Sequence, residues 1–259
     1  MLHKPKFSVL IVVRNGEKTI RRCIESLQAQ TEQDFEVIVI DGKSTDKTLE
    51  IILEYNTFID CILSESDSGI QEAYNKALTL SKGDLVSFLS SDDAYVPSTL
   101  SRVSKAFNPS VPNQIIYGGM TYFDNLKEFV FVHHSKLPQQ MICHPSTFVN
   151  RKAFENYGYF DLLYKIAADY ELIARFDKSG ADFFPIYEVL SIFQKGGASS
   201  QYKEICKMET LRVQKTYYDL GIVEWLYRFL KLTLATNKIT ILFSYHIKSY
   251  LTKLAQRIK

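Results

Sequence analysis

The sequence predicts an α/β fold: a mostly parallel, Rossmann-like sheet flanked by helices, with a C-terminal helical extension. Three observations predict it. Short apolar runs recur with helical segments between them. Each run is nearly continuous rather than alternating, as expected of a strand buried on both faces. Each run also stops at a cluster of polar or turn-forming residues.

The elements follow in order. Phe7 to Val13 is the first strand, closed by Asn15-Gly16. Glu17 to Gln30 has helical spacing through Ile20, Ile24 and Leu27. Glu36 to Ile40 is the second strand, ended by Asp41-Gly42. Ser44 or Thr45 is placed to cap the next helix, which runs to about Tyr55. Cys61 to Leu63 is a short third strand, Gly69 to Leu80 a helix, and Leu85 to Leu89 a fourth strand. Strand, helix and strand at this interval predict βαβ units. The second half is less regular. Ile115 to Phe123 and Glu128 to His133 suit an antiparallel pair, Arg151 to Tyr157 and Ala167 to Lys178 suit helices, and Val189 to Phe193 a strand. From about Ser200 the pattern is helical to the end.

Composition bounds the function. Hydrophobic residues make up 46% of 259, enough for a substantial core. Thirty-one Lys/Arg against twenty-nine Asp/Glu leave a net charge of +2, so no nucleic-acid partner is expected. The cysteines at 23, 61, 143 and 206 are scattered, without zinc or redox spacing. Cys23 and Cys61 lie in apolar stretches and read as buried free thiols, which suits a reducing compartment. The N-terminal apolar run is short and lacks a cleavage site, so it reads as a strand and not a signal peptide.

In a parallel sheet, ligands bind beyond the carboxyl ends of the strands. Four polar clusters fall there: Arg14-Asn15, Asp41-Gly42, Glu65 to Asp67, and Ser91 to Asp93. The adjacent carboxylates of Asp92 and Asp93 repel each other. A divalent cation on a diphosphate compensates them, because Mg²⁺ and Mn²⁺ take oxygen ligands and need few from the protein. A helix cap with solvated acids is the competing reading. Asp41 suits either a turn or a carboxylate that accepts from a nucleobase. Asp67-Ser68-Gly69 precedes a helix carrying Asn75 and Lys76, and Lys76 suits a phosphate, a base, or solvent.

Taken in order, these segments resemble the inverting family 2 of glycosyltransferases, which has the type A glycosyltransferase fold. The carrying stretches are Ser8-Val9-Leu10-Ile11-Val12-Val13-Arg14-Asn15, Val39-Ile40-Asp41-Gly42-Lys43-Ser44-Thr45-Asp46, Glu65-Ser66-Asp67-Ser68-Gly69 through Asn75-Lys76-Ala77, and Gly83-Asp84 through Ser91-Asp92-Asp93. The resemblance covers about residues 7–200 and is closest to the branch that builds bacterial exopolysaccharide, capsule and lipopolysaccharide. It implies a nucleotide-sugar donor, a UDP-sugar first, and a lipid-linked or glycan acceptor. Val13, Asn15, Asp41, Asp67, Asn75, Lys76, Ser91 and Asp92 are implied at the donor, with Asp41 on the base and Asp92 near the ribose. Asp93 is implied to hold Mn²⁺ or Mg²⁺ on the diphosphate. Two departures stand out: Val13-Arg14-Asn15 replaces a frequent Thr-Tyr-Asn, and Ser91 opens the metal motif in place of Asp.

An inverting transfer also needs a base for the acceptor hydroxyl. In Ala168-Asp169-Tyr170-Glu171-Leu172, the resemblance implies Asp169, although Ala168 replaces the preceding acid of the family motif. A carboxylate favoured by a helix N-terminus is the competing reading. His144, in His144-Pro145-Ser146, together with Glu171 and Lys195, is implied on the acceptor or diphosphate side. For His144 a structural role competes, and Lys195 precedes Gly196-Gly197, a pair that suits close backbone approach.

The expected organisation is a catalytic domain over 1–199, with a nucleotide-binding half (1–95) and an acceptor half (96–199), then a helical segment over 200–259. Residues 222–259 hold seven Lys/Arg against the single acid Glu224, without a spanning apolar stretch. They predict an interfacial helix on an anionic leaflet, and hence a cytoplasmic protein peripheral to the inner face of a bacterial plasma membrane. Two other functions compete. A nucleotidyltransferase needs a Gly-rich phosphate loop, which Arg14-Asn15-Gly16-Glu17 does not supply. A non-catalytic binding module does not need Asp41, Asp92, Asp93 and Asp169 together.

Overall fold

A computed structural model of the chain describes residues 4–219, together with Gly221 and Trp225. The expected membrane helix over 222–259 otherwise lies outside the described residues. In chain order the elements are β1 (Phe7–Val13), α1 (Ile20–Gln28), β2 (Phe35–Asp41), α2 (Thr48–Leu53), β3 (Cys61–Ser64), α3 (Ile70–Leu80), β4 (Leu85–Ser90), β5 (Ala94–Tyr95) and α4 (Thr99–Ala106). There follow β6 (Gln114–Tyr122), β7 (Asn125–Val130), β8 (Thr147–Asn150), α5 (Arg151–Tyr157), α6 (Ala168–Lys178), β9 (Asp182–Phe193), α7 (Ala198–Gln201) and α8 (Lys203–Tyr218).

One nine-stranded sheet holds them, in the order β3-β2-β1-β4-β8-β6-β9-β5, with β7 paired to β6. From β3 to β4 it is wholly parallel. Beyond β4 it is mixed: β8 is antiparallel to β4 and β6, and β6 runs parallel to β9. Side chains alternate across the sheet, as strand geometry requires. Phe7, Val9, Ile11 and Val13 pack with Ile20, Ile24 and Leu27 of α1 and Leu100 of α4. Leu10 and Val12 pack on the other face with Ala73 and Ala77 of α3 and with α6. Covering both faces is what makes β1 a nearly continuous apolar run, with Ser8 its one polar residue.

The strands are also tied at their amino ends. Ser8 Oγ donates to Glu36 Oε1 at 2.5 Å and accepts the Gly83 N–H at 2.8 Å. A Cβ on Gly83 would stand 2.5 Å from the backbone of Phe7 and Ser8, so only glycine fits there.

Several expectations change. The first helix starts at Ile20, not Glu17. Neither Ser44 nor Thr45 caps α2; Asp46 Oδ1 takes the Thr48 N–H at 3.0 Å instead. The strand expected at 128–133 is Asn125–Val130, and that expected at 189–193 begins at Asp182. Strand β8 and helix α4 are additional. All four cysteines are free; Cys23 is buried, whereas Cys61 is only half-buried because β3 is an edge strand. Among the described residues, no helix is long and apolar enough to cross a membrane.

Candidate active site

The carboxyl ends of β1 and β2 are joined into one wall. Val13 O accepts the Gly42 N–H at 2.8 Å. The Asn15 N–H donates to Ser44 Oγ at 2.8 Å, and Asn15 Oδ1 accepts the Thr45 N–H at 2.9 Å. Thr48 Oγ1 takes the Gly16 N–H at 2.7 Å. Asn15 and Lys43 have φ of +53° and +54°, the left-handed region that asparagine tolerates and lysine rarely adopts. Asp41 organises this wall. It is fully buried, and its carboxylate accepts from the Ser44 hydroxyl at 2.5 Å and from Ser64 Oγ at 2.6 Å. Asp41→Ala strands these donors and is expected to cost about 1–3 kcal/mol of stability. Urea unfolding checks this; an unchanged midpoint at unchanged slope would mean that the carboxylate is dispensable to the wall.

Ser91, Asp92 and Asp93 follow β4 at the next strand end. Asp93 is 1% exposed and accepts the Gln194 N–H on Oδ1 at 2.8 Å. Burial, reinforced by the Asp92 charge, pushes its carboxyl up to about 8. Burial also raises Asp92. Among the described residues neither carboxylate makes an ion pair. The nearest cation is Arg22 of α1, whose Nη2 donates to Asp92 O at 2.7 Å and to Gln194 Oε1 at 3.3 Å. Its guanidinium lies 3.5 Å from the Phe123 ring centroid. A buried acid beside a half-buried one at a strand end, with no ion pair, fits a divalent cation. Among the described residues no three His, Cys, Asp or Glu side chains form a cage, which fits a cation that draws most of its ligands from a diphosphate.

Asp169 sits in the first turn of α6, half-buried, with Oδ1 accepting the Tyr170 N–H at 2.8 Å. Its charge acts on the Tyr74 hydroxyl of α3, as do those of Asp93 and Asp92. Tyr74 is 5% exposed. Burial raises the Tyr74 hydroxyl, and the two acidic clusters, 76 residues apart between Asp93 and Asp169, add to that shift.

Other expected residues are placed less directly. Asp67 Oδ1 accepts the Gly69 N–H at 3.0 Å, and the Asp67 carboxylate lies against Gly42. The Asn75 amide is engaged with the backbone of Phe160, donating to its carbonyl and accepting its N–H, both at 3.0 Å. Lys76 pairs with Glu65 at 2.7 Å and Glu72 at 2.9 Å. His144 stacks on Phe88 of β4 with centroids 6.2 Å apart. Lys195 pairs with Asp124 at 3.2 Å. Gly197 approaches Asp92, 3.4 Å separating a Cβ there from the carboxylate. Glu171, expected on the acceptor side, is instead 1% exposed and held inside the protein. Arg175 donates to both its oxygens at 2.9 and 3.1 Å, and Tyr217 Oη to Oε1 at 2.5 Å. The sequence reading passed over Tyr74, Arg22 and Gln194. Tyr74 lies inside a quoted motif, but only the folded chain brings Arg22 to Asp92.

The family model for glycosyl transferase family 2 matches residues 8–169. The chain belongs to this family. The match runs from β1 through Asp169 and takes in both acidic clusters. This glycosyltransferase is 31% identical over 177 residues to a PGL/p-HBAD biosynthesis glycosyltransferase of Mycobacterium bovis, covering 66% of the chain and 69% of the relative. It is 29% identical over 207 residues to an uncharacterized glycosyltransferase of Rickettsia prowazekii, covering 73% and 64%. Two solved structures share its fold. S. aureus TarS 1–349, in complex with UDP-GlcNAc, has a TM-score of 0.68 at 21% identity over 88% of this chain and 72% of that one. The mannosyltransferase PcManGT from Pyrobaculum calidifontis, in complex with GDP-Man and Mn²⁺, has a TM-score of 0.70 at 16% identity over 99% and 81%. The type A glycosyltransferase fold expected from the motifs is the fold of this enzyme.

Proposed function

We propose that this glycosyltransferase moves a sugar from a nucleotide diphosphate, a UDP-sugar first, to a glycan or lipid-linked acceptor with inversion. The observation that carries this reading is Asp93, buried beside Asp92 at the end of β4 with no ion-pair partner among the described residues. In the proposed step, the acceptor oxygen bonds the anomeric carbon as the bond to the diphosphate oxygen breaks. Asp169 takes the acceptor proton, and the nucleoside diphosphate leaves. A Mg²⁺ or Mn²⁺ ion on Asp93 would offset the charge developing on that leaving group. Asp41 and the wall it holds receive the base, with Val13 and Asn15 beside it. UDP-GlcNAc bound to TarS and GDP-Man with Mn²⁺ bound to PcManGT support the donor class.

The deciding experiment is a thermal-shift panel of nucleotide sugars with Mn²⁺, followed by donor hydrolysis with and without metal. A true donor raises the midpoint in a concentration-dependent way. A panel in which no nucleotide sugar shifts the midpoint would sink the reading.

The membrane expectation is carried into this proposal by charge alone. Removing residues 222–259 is expected to release the protein from anionic vesicles, and salt should weaken the binding of the full chain. Equal sedimentation of both forms would refute it.

A further inference from the structure

Helix α6 begins without a cap of its own. Its N-cap position is Ala167, which has no side-chain acceptor for the orphan N–H groups at a helix start. The turn that leads into it is held from α8. Glu209 takes the Lys165 N–H on Oε1 and the Ile166 and Ala167 N–H groups on Oε2, each at 2.8 Å. These bonds span 42–44 residues of sequence. From the opposite side, Gln71 of α3 donates to Lys165 O at 2.6 Å. Tyr164, 4% exposed, carries the Arg212 guanidinium 4.8 Å from its ring centroid. The turn at 164–167 is therefore gripped from both α3 and α8.

Asp169 follows that turn by two residues. Burial raises Tyr74 on α3 and Cys206 on α8, and the Asp169 charge adds to both shifts. Three charge-assisted bonds from one carboxylate hold the turn before α6, the last of them on the N-cap N–H of Ala167, and a negative charge at that end also suits the helix dipole. The family match ends at residue 169, so Glu209 lies wholly beyond it.

We infer that Glu209 is a positioning residue: it sets the origin of α6 and thereby aims the Asp169 carboxylate at the acceptor hydroxyl. The inference rests on the reading of Asp169 as the base. Displacing a reacting group by about 1 Å costs on the order of 10²-fold, so the grip matters if the base must be aimed.

The test uses the full-length enzyme with Glu209→Ala, Glu209→Gln, Asp169→Asn and the double variant Glu209→Ala/Asp169→Asn. Donor affinity is measured by thermal shift beside kcat and KM. Glu209→Ala is expected to lower kcat by about 10–100-fold with donor affinity and donor KM held within about 2-fold. Glu209→Gln should recover part of the loss, because its carbonyl oxygen still accepts some of these N–H groups. In the Asp169→Asn background, Glu209→Ala should cost nothing further in kcat, since its effect passes through the missing base. An equal loss in both backgrounds, or wild-type kcat in Glu209→Ala beside a crippled Asp169→Asn, overturns the inference alone. Wild-type kcat in Asp169→Asn overturns the base reading and takes the inference with it. If neither Glu209 variant folds, the carboxylate is a framework residue and the positioning role is rejected.

Discussion

Asp93→Ala should lower sugar transfer by about 10²–10³-fold or more at ordinary metal concentration, the loss expected when transition-state charge goes uncompensated. The metal-free fold should survive. Asp93 is nearly fully buried beside a second carboxylate, and what it loses on substitution is one bond to the Gln194 N–H. Burying an acid whose folded value is raised to about 8 costs stability at neutral pH, because folding must protonate it, so the melting midpoint should stay level or rise on its removal, as for residues kept for function at the expense of stability. The check is kcat against metal concentration beside thermal unfolding. Wild-type turnover in the variant would end the metal assignment, and a collapsed midpoint would make Asp93 a framework residue.

The second large effect separates Asp169 from Glu171. Asp169→Asn is expected to keep donor affinity and lower kcat by about 10²-fold or more, the loss of a positioned proton acceptor. Glu171→Gln should do the reverse. It breaks a buried bidentate pair with Arg175 and weakens the bond from Tyr217. Arg175 keeps some contact with water, so the cost should be about 2–4 kcal/mol, below the full penalty for a broken buried pair. The folded fraction of Glu171→Gln should turn over normally. Two residues apart on a helix, the carboxylates point about 200° from each other. If Glu171→Gln is the silent enzyme and Asp169→Asn stays active, the base is misassigned by two positions.

The parallel half of the sheet was legible because β1, β2 and β4 are buried on both faces and appear as nearly continuous apolar runs. Strand β8 was not: of its four residues only Phe148 and Val149 are apolar, between Thr147 and Asn150. Helix α4 was missed because only Leu100 and Val103 mark its face, behind Pro97. Most of β9 was missed because its first residues are partly exposed and interrupted by Pro185. At the site, motif positions were readable, whereas partners were not. That Asp41 lies at the end of a strand follows from sequence; that Ser44 and Ser64 donate to its carboxylate does not. Helix geometry allowed only one of Asp169 and Glu171 at the cleft, and the Arg175 pair fixes Glu171 as the one turned inward.

The place of β8 between β4 and β6 has a consequence for synthesis. One side of β4 pairs with β1, which precedes it in the chain. The other side pairs with β8, which ends 60 residues after Ser90 at Asn150. At roughly 5–20 residues per second of translation, that edge stays open for about 3–12 s before its partner has even been made. An uncovered apolar strand is a template for pairing with other chains. The nascent chain therefore passes through an interval in which crowding by its own copies, or the lack of a chaperone, would turn an interior strand of the mature enzyme into its site of aggregation.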